Sequence, residues 1–168
     1  MTQPQPTGGF NWGRLSMGSK GLLVTGLLFL LALFLVPWAD VGSEVQAILP
    51  GIDLGDIPGA ADLSLTGLQA SPLFGWLGLL LTLALLVWEG LAATGQNIAA
   101  GGKSPAFISA ILGWAIAACG LIIFVVSLEA VAWGAFLGLL LSLAMAYAAY
   151  MRFQESKLGG TAPPPPAV

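Results

Sequence analysis

The longest apolar stretch of this sequence, residues 106–151, reads AFISAILGWAIAACGLIIFVVSLEAVAWGAFLGLLLSLAMAYAAYM, and Glu129 is its single charged residue. A helix needs about 20 residues to cross the hydrocarbon core of a bilayer, so this stretch is too long for one crossing. The polar interruption Ser127-Leu128-Glu129 divides it into two lengths that each suit one helix. Backbone amides in lipid must be hydrogen-bonded within their own segment, so the pattern predicts two membrane helices joined by a tight turn.

Two further apolar segments precede this stretch. The first lies between Lys20 and Asp40, and the second begins at Pro72 and is interrupted by Glu89. The four predicted spans cover about residues 21–39, 72–93, 106–128 and 130–151, which gives an all-α membrane protein built as a four-transmembrane-helix bundle. The first segment also resembles a signal peptide, but its length and the missing small-residue cleavage pattern favour a retained span.

The composition excludes a water-soluble globule and many kinds of chemistry. Of the 168 residues, 57% are hydrophobic and 8% are charged, whereas a soluble domain carries roughly 25% charged residues. The chain has no histidine and one cysteine, which excludes histidine metal sites, a Ser-His-Asp triad and an intrachain disulfide. We therefore predict no catalytic residues, no metal and no cofactor. The few basic residues form no dense patch, so we also predict no nucleic-acid partner.

The distribution of charge predicts the orientation. With four crossings, both termini and the loop over residues 94–105 lie on one side. That side carries all five basic residues, which are Arg14, Lys20, Lys103, Arg152 and Lys157. The opposite side carries Asp40, Glu44, Asp53, Asp56, Asp62 and Glu129. Because basic residues accumulate in cytoplasmic loops, we expect an N-in/C-in protein of the plasma membrane.

The segments outside the spans are two tails and one long loop. We expect a flexible cytoplasmic tail over residues 1–20 and a Pro-rich cytoplasmic tail over residues 152–168. In the outer loop, residues 39–71, the spacing of apolar residues from Asp40 to Pro50 predicts a short amphipathic helix. The alternating residues 63–66 favour a brief extended segment. The three loop aspartates do not have the spacing of a calcium-binding loop.

Glu89 is the acid that lies inside a predicted span. An intramembrane carboxylate is costly, which makes a proton or cation site one interpretation. Its depth favours another, because the helix geometry places Glu89 near the inner edge of the hydrocarbon core. There it can reach water or pair with Lys103 or Arg152, and we prefer this interfacial ion pair.

Small residues and tryptophans predict how the helices pack and where they meet the membrane surface. A small residue recurs every fourth position in the third and fourth spans, which allows close helix contact. These residues are Ser109, Gly113 and Ala117, then Gly134, Gly138, Ser142 and Ala146. Gly134 and Gly138 could instead form a homodimer face. Tryptophans near span ends, at positions Trp38, Trp76, Trp88 and Trp133, are expected to be interfacial anchors. Trp114 lies deeper and is expected to face a neighbouring helix.

In layout the chain resembles small uncharacterised four-span bacterial integral membrane proteins with Gly/Pro-rich tails, and this resemblance implies no activity. We expect a non-enzymatic accessory subunit, scaffold or envelope-interaction module. The alternative is a small transporter or channel subunit that uses Glu89. The bilayer is one partner, and a membrane protein or a second copy of the chain is another. A membrane enzyme is disfavoured because no catalytic constellation exists.

Overall fold

The computed structural model describes residues 12–42, 64–94 and 104–159, and these residues are mostly helical. The helices, in chain order, are α1 (Met17–Leu35), α2 (Gly67–Ala70), α3 (Pro72–Ala93), α4 (Pro105–Val126) and α5 (Trp133–Gly159). All but the short α2 are long and apolar enough to cross a membrane. This confirms the prediction of a mostly helical chain with four candidate membrane spans. Short 3-10 turns cover Trp12–Arg14 and Leu128–Ala130.

Local sequence signals explain where the long helices begin and end. Ser16 caps α1 by accepting a hydrogen bond from the Ser19 amide, and Ser104 caps α4 in the same way with Phe107. Such caps satisfy amides that have no partner within the helix. Both α3 and α4 have proline at their start, where its missing N–H costs nothing.

The first span ends earlier than predicted. Helix α1 covers Met17–Leu35 in place of residues 21–39, because Pro37 forces the preceding residue into an extended conformation. The chain continues as strand β1 (Pro37–Asp40), which pairs antiparallel with β2 (Ser64–Thr66). Ala39 also forms a bridge with Val131 in the α4–α5 connection. A small sheet across one end of the bundle therefore joins the two described parts of the predicted outer loop, and α2 follows β2 within that loop.

Two other predictions concern residues near the ends of the spans. The predicted amphipathic helix falls largely on residues 43–50, which lie outside the described ranges. The fourth span was expected to end near Met151, with a tail from residue 152. Helix α5 instead continues to Gly159, and this extension carries Arg152 and Lys157.

The four long helices form a ring in which α5 contacts α4 and α1, and α3 contacts α4 and α1. The α4–α5 contact is the most extensive, as their short connection predicts. The core inside this ring is apolar over most of its length. Its fully buried members include Leu22, Phe29, Leu33, Trp38, Leu85, Ile116, Ile123 and Met145.

The small residues of α5 are shared between two neighbours. Towards α4, Ser142 packs on Gly120, and a Cβ added at Gly113 would lie 2.5 Å from Ala149. Nearer the start of α5, Gly134 and Gly138 face the strand β1 and not a helix. Since both glycines are covered by their own chain, they are not available as a homodimer face.

Trp38 is the tryptophan whose position differs most from the prediction. It is completely buried, and its Nε1 donates to the Ala32 carbonyl at 2.9 Å. The indole fills space left by Gly67 and Gly138, where a Cβ would overlap the ring. Trp38 is therefore a core residue and not an interfacial anchor.

The other tryptophans lie nearer the surface of the bundle. Trp76 and Trp133 are exposed, and Trp88 is half-buried and donates to the Pro105 carbonyl at 3.2 Å. Trp114 was expected to face a neighbouring helix, but 59% of its surface is exposed. The side of α4 that carries Trp114 is turned outwards because Gly113 and Ala117 occupy the side against α5.

Candidate functional site

A polar cluster lies between the four long helices at the end where α1 and α4 begin. Each helix contributes one residue, namely Ser19 from α1, Glu89 from α3, Ser109 from α4 and Arg152 from α5. Ser19, Glu89 and Ser109 are completely buried, and the Arg152 side chain is 13% exposed. The up-and-down order of the helices brings these residues level, because two lie near helix starts and two near helix ends.

Glu89 and Arg152 form the central ion pair. Arg152 Nε lies 2.8 Å from Glu89 Oε1. Ser109 Oγ donates to the same carboxylate oxygen at 2.5 Å and lies 3.3 Å from Arg152 Nε. Arg152 Nη1 donates to Ser19 Oγ. The guanidinium group therefore links three other helices to α5.

This geometry identifies one of the two predicted partners of Glu89. Arg152, one of the two candidates, is the partner seen, while Lys103 lies outside the described residues. The carboxylate is enclosed by helices and does not reach the surface, although its sequence position suggested contact with interfacial water. A buried ion pair loses much hydration, so its hydrogen bonds are needed to compensate.

One oxygen of the Glu89 carboxylate lacks such a hydrogen bond among the described residues. Glu89 Oε2 is buried and has no hydrogen-bond partner among the described residues. An unsatisfied buried polar atom is rare in proteins and calls for an explanation such as strain, a bound water or a functional role. It is therefore the atom of this cluster where a proton or a cation would have most effect.

The helices α1 and α5 approach very closely beside the cluster. A Cβ at Gly18 would lie 2.5 Å from the Arg152 amide nitrogen, so this position requires glycine. The Gly18 amide donates to both carboxylate oxygens of Glu155 at 3.3 Å. A carboxylate at a helix start is favourable because the helix dipole is positive there. These contacts fix the side of α1 that presents Ser19 to Arg152.

A cavity of about 300 Å³ opens next to Arg152 at this end of the bundle. Its lining includes Ser16, Ser104, Glu155 and Ser156. The cavity gives the guanidinium group its small exposure, whereas Glu89 behind it has none. Of the two members of the ion pair, Arg152 therefore lines this cavity and Glu89 does not.

Beyond the cluster, three buried hydroxyl groups in or beside the described spans are bonded to carbonyls of the preceding helical turn. Thr82 donates to Gly78, Ser127 to Ile123 and Ser142 to Leu139. Groups of three or more His, Cys, Asp or Glu side chains that could hold a metal ion do not occur in the described ranges. Cys119 is buried and unpaired with another cysteine. The described core thus offers no continuous polar path from one end to the other.

The sequence singled out some of these residues and missed others. Glu89 and Arg152 were identified as a candidate pair, and Ser109 was assigned only to helix packing. Ser19, Gly18 and Glu155 were not assigned to the site. Their positions along the helices could have identified them. The first turn of α1 and the last turns of α5 lie at the same depth when both helices cross the same membrane.

Comparisons with protein-family models, curated proteins and solved structures found no match to this chain.

Proposed function

We propose that this chain is a non-enzymatic integral membrane protein of the plasma membrane that serves as an accessory subunit, scaffold or envelope-interaction module. The observation that carries this proposal is the internal use of its polar groups. Glu89 is paired with Arg152, and the remaining described core is apolar or bonded to its own helix. Such a bundle is suited to hold a shape rather than to conduct a solute.

The exposed positions at the sheet end of the bundle support partner binding on that side. The Gly134 and Gly138 face is already covered by β1, so it is not the partner surface. Ser64 in β2 is exposed and adjoins the loop that carries the acidic residues. We assign this end to the outer side, with both termini cytoplasmic, because of the distribution of basic residues.

Photo-crosslinking in native membranes tests the scaffold proposal. A photoreactive amino acid at Ser64 should give one discrete protein adduct, identified by mass spectrometry. The matched control is Leu140, which is exposed on the lipid-facing side of α5 and should give lipid adducts. Lipid or water adducts alone at both positions would contradict the proposal.

A second function is favoured by one observation. Glu89 Oε2 is buried without a hydrogen-bond partner, which is the expected state of a carboxylate that exchanges a proton or a small cation. A small transporter or channel subunit would use Glu89 in this way, with Arg152 as the group that controls access from the adjacent cavity. Intramembrane acids frequently mark such pathways.

Proteoliposome flux measurements separate the two functions. Under the scaffold proposal, vesicles with the parent protein and with Glu89→Gln show the same low proton and cation flux. Glu129→Gln is the matched control, because Glu129 is an exposed acid in the α4–α5 turn. A parent flux that disappears in Glu89→Gln and persists in Glu129→Gln would contradict the scaffold proposal and support the transporter.

A further inference from the structure

A groove of about 530 Å³ runs along the outside of the bundle between α4 and α5. Its walls are largely aromatic and aliphatic, and include Phe107, Ile111, Trp114, Tyr150 and Phe153. Trp114 and Ile111 are 59% and 52% exposed. They lie on the surface that faces lipid when these helices cross a membrane. The groove is separate from the buried cluster, which lies inside the ring of helices.

The groove is polar at the end nearest the C-terminus of α5. Lys157 Nζ lies 4.4 Å from the centroid of the Phe153 ring, which holds the ammonium group beside the groove. Gln154 Nε2 donates to Tyr150 Oη at 2.8 Å, which leaves the tyrosine proton free to donate outwards. The groove thus has apolar walls along its length, and an ammonium group and a hydroxyl donor at one end.

The charge of Lys157 is not neutralised by its own chain within the described ranges. The nearby carboxylate of Glu155 is engaged by the Gly18 amide, and Arg152 is the cation paired with Glu89. An ammonium group at the membrane surface attracts anionic groups, with an energy of about 1 kcal/mol per lysine near an anionic lipid surface. Lys157 is therefore available to a negatively charged ligand.

We propose that this groove binds an anionic phospholipid. One acyl chain lies against Trp114 and Ile111, and the phosphate is bound by the Lys157 ammonium and the Tyr150 hydroxyl. Basic pockets between membrane helices on one side of a bilayer bind anionic headgroups in this way. The acyl chain of a zwitterionic lipid fills the groove equally well, but its headgroup has no net charge to attract Lys157.

A helix of another protein fits this groove less well. Close packing of membrane helices needs small residues on both surfaces, whereas this groove has Trp114, Tyr150 and Phe153 on its walls. A flexible acyl chain adapts to such an uneven aromatic surface, and a rigid helix does not.

Quenching of Trp114 by brominated lipids tests the proposal in reconstituted full-length protein. Vesicles of phosphatidylcholine receive a minor fraction of either brominated phosphatidylglycerol, which is anionic, or brominated phosphatidylcholine. The chain has six tryptophans, so the contribution of Trp114 is the difference between the parent and Trp114→Phe. We expect this contribution to be quenched more strongly by the anionic lipid.

Variants at two lysines identify the source of the preference. Lys157→Gln should lower the preference for the anionic lipid by about fivefold, and Lys157→Arg should retain it. Lys20→Gln is the matched control, because Lys20 lies at the same end of the bundle on α1, outside the groove. It should leave the preference unchanged.

Three results would overturn the proposal. The first is equal quenching of Trp114 by both lipids in the parent, and the second is an equal loss of preference in Lys157→Gln and Lys20→Gln, which indicates general surface charge. The third is protection of Trp114 from both lipids, which indicates that protein covers the groove. Lys157 and Trp114 are exposed, so their substitution leaves the core intact, and thermal unfolding of each variant verifies this.

Discussion

At the scale of single residues, the Glu89–Arg152 pair makes the bundle sensitive to the loss of either partner. Both groups lose most of their hydration, and three hydrogen-bonding contacts to Ser109 and Ser19 replace part of it. A pair of this kind contributes little net stability compared with apolar residues of the same size. Removing one member is costly, because the other remains as an isolated buried charge.

A double-mutant cycle on this pair should show that asymmetry. We expect Glu89→Leu and Arg152→Met each to lower the free energy of unfolding by about 3–5 kcal/mol, and the double variant to lose less than either. The measurement is unfolding in mixed detergent micelles, followed by circular dichroism. Ser19→Ala removes the hydrogen bonds of the Ser19 hydroxyl with Arg152 and Ser16, and it should cost about 1.5–3 kcal/mol because Arg152 is charged. Strictly additive losses at Glu89 and Arg152 would show that the two groups do not interact.

The sequence predicted Arg152 as one of two candidate partners of Glu89, but it did not predict the surroundings of the pair. Glu89 was conspicuous because it is an acid inside an apolar span, and Arg152 was identified because it lies at the same level of the membrane. Ser19 and Ser109 could not be assigned, because hydropathy does not show which side of a uniformly apolar helix faces inwards. That rotation is set by Gly18 and Gly113, where a Cβ would collide with α5.

At the scale of elements, the passage from α1 into β1 shapes the other end of the bundle. Pro37 ends the helix, and the next residue turns its indole into the core between Gly67 and Gly138. There the ring meets Phe29 edge-on, with centroids 6.2 Å apart. Strand β1 and the Trp38 side chain thus fill the space between α1 and α5. A fully helical segment would leave this space open to lipid.

A methyl group at Gly138 should disturb this closure. We expect Gly138→Ala to lower the free energy of unfolding by about 1–3 kcal/mol, because the added Cβ overlaps the Trp38 ring. Gly90→Ala is the control on α3, where a Cβ meets nothing within 4 Å. It should be neutral or stabilising by about 0.5–1 kcal/mol through helix propensity. Equal effects of both substitutions on the unfolding midpoint would place Trp38 elsewhere.

The position of Trp38 shows why sequence reasoning failed at this element. A tryptophan just after an apolar span is usually an anchor at the membrane surface. The two glycines that make room for it come from β2–α2 and α5, far away in the sequence. Only their tertiary arrangement distinguishes a buried indole from a surface one.

At the scale of the whole molecule, the four long helices place the start of α1 and the end of α5 at the same end of the bundle. The contact between Gly18 and Glu155 joins the start of α1 to the end of α5. The sheet of β1 and β2 closes the opposite end. The distribution of basic residues leads us to expect the first of these ends in the cytoplasm.

Cysteine labelling of intact cells tests this orientation. In a Cys119→Ser background, a cysteine introduced by Ser64→Cys should react with a membrane-impermeant maleimide added outside. Ser156→Cys, which is exposed at the other end, should react only after the membrane is opened. The reverse pattern would place both termini outside the cell.

Hydropathy was sufficient to predict the number of membrane-length helices, and charge was sufficient to predict an orientation. The number of long helices follows from the length of the apolar segments and the break at Glu129. In lipid, the backbone N–H and C=O groups of each such segment must be hydrogen-bonded within it, as they are in a helix. The ring order and the sheet could not be predicted. They depend on contacts such as Ala39 with Val131, which join segments that share no sequence pattern.

The pairing of α3 with α5 has a consequence for synthesis at the ribosome. Glu89 lies in α3, the second of the four long helices to be synthesised, and Arg152 lies in α5, the fourth. Until α5 has been synthesised, the nascent chain carries a lone carboxylate, which is strongly disfavoured in lipid. Val131, which bridges to β1, also emerges late. We therefore expect the bundle to be completed only when α5 inserts, so that a chain truncated after α4 is degraded because its buried acid is not neutralised.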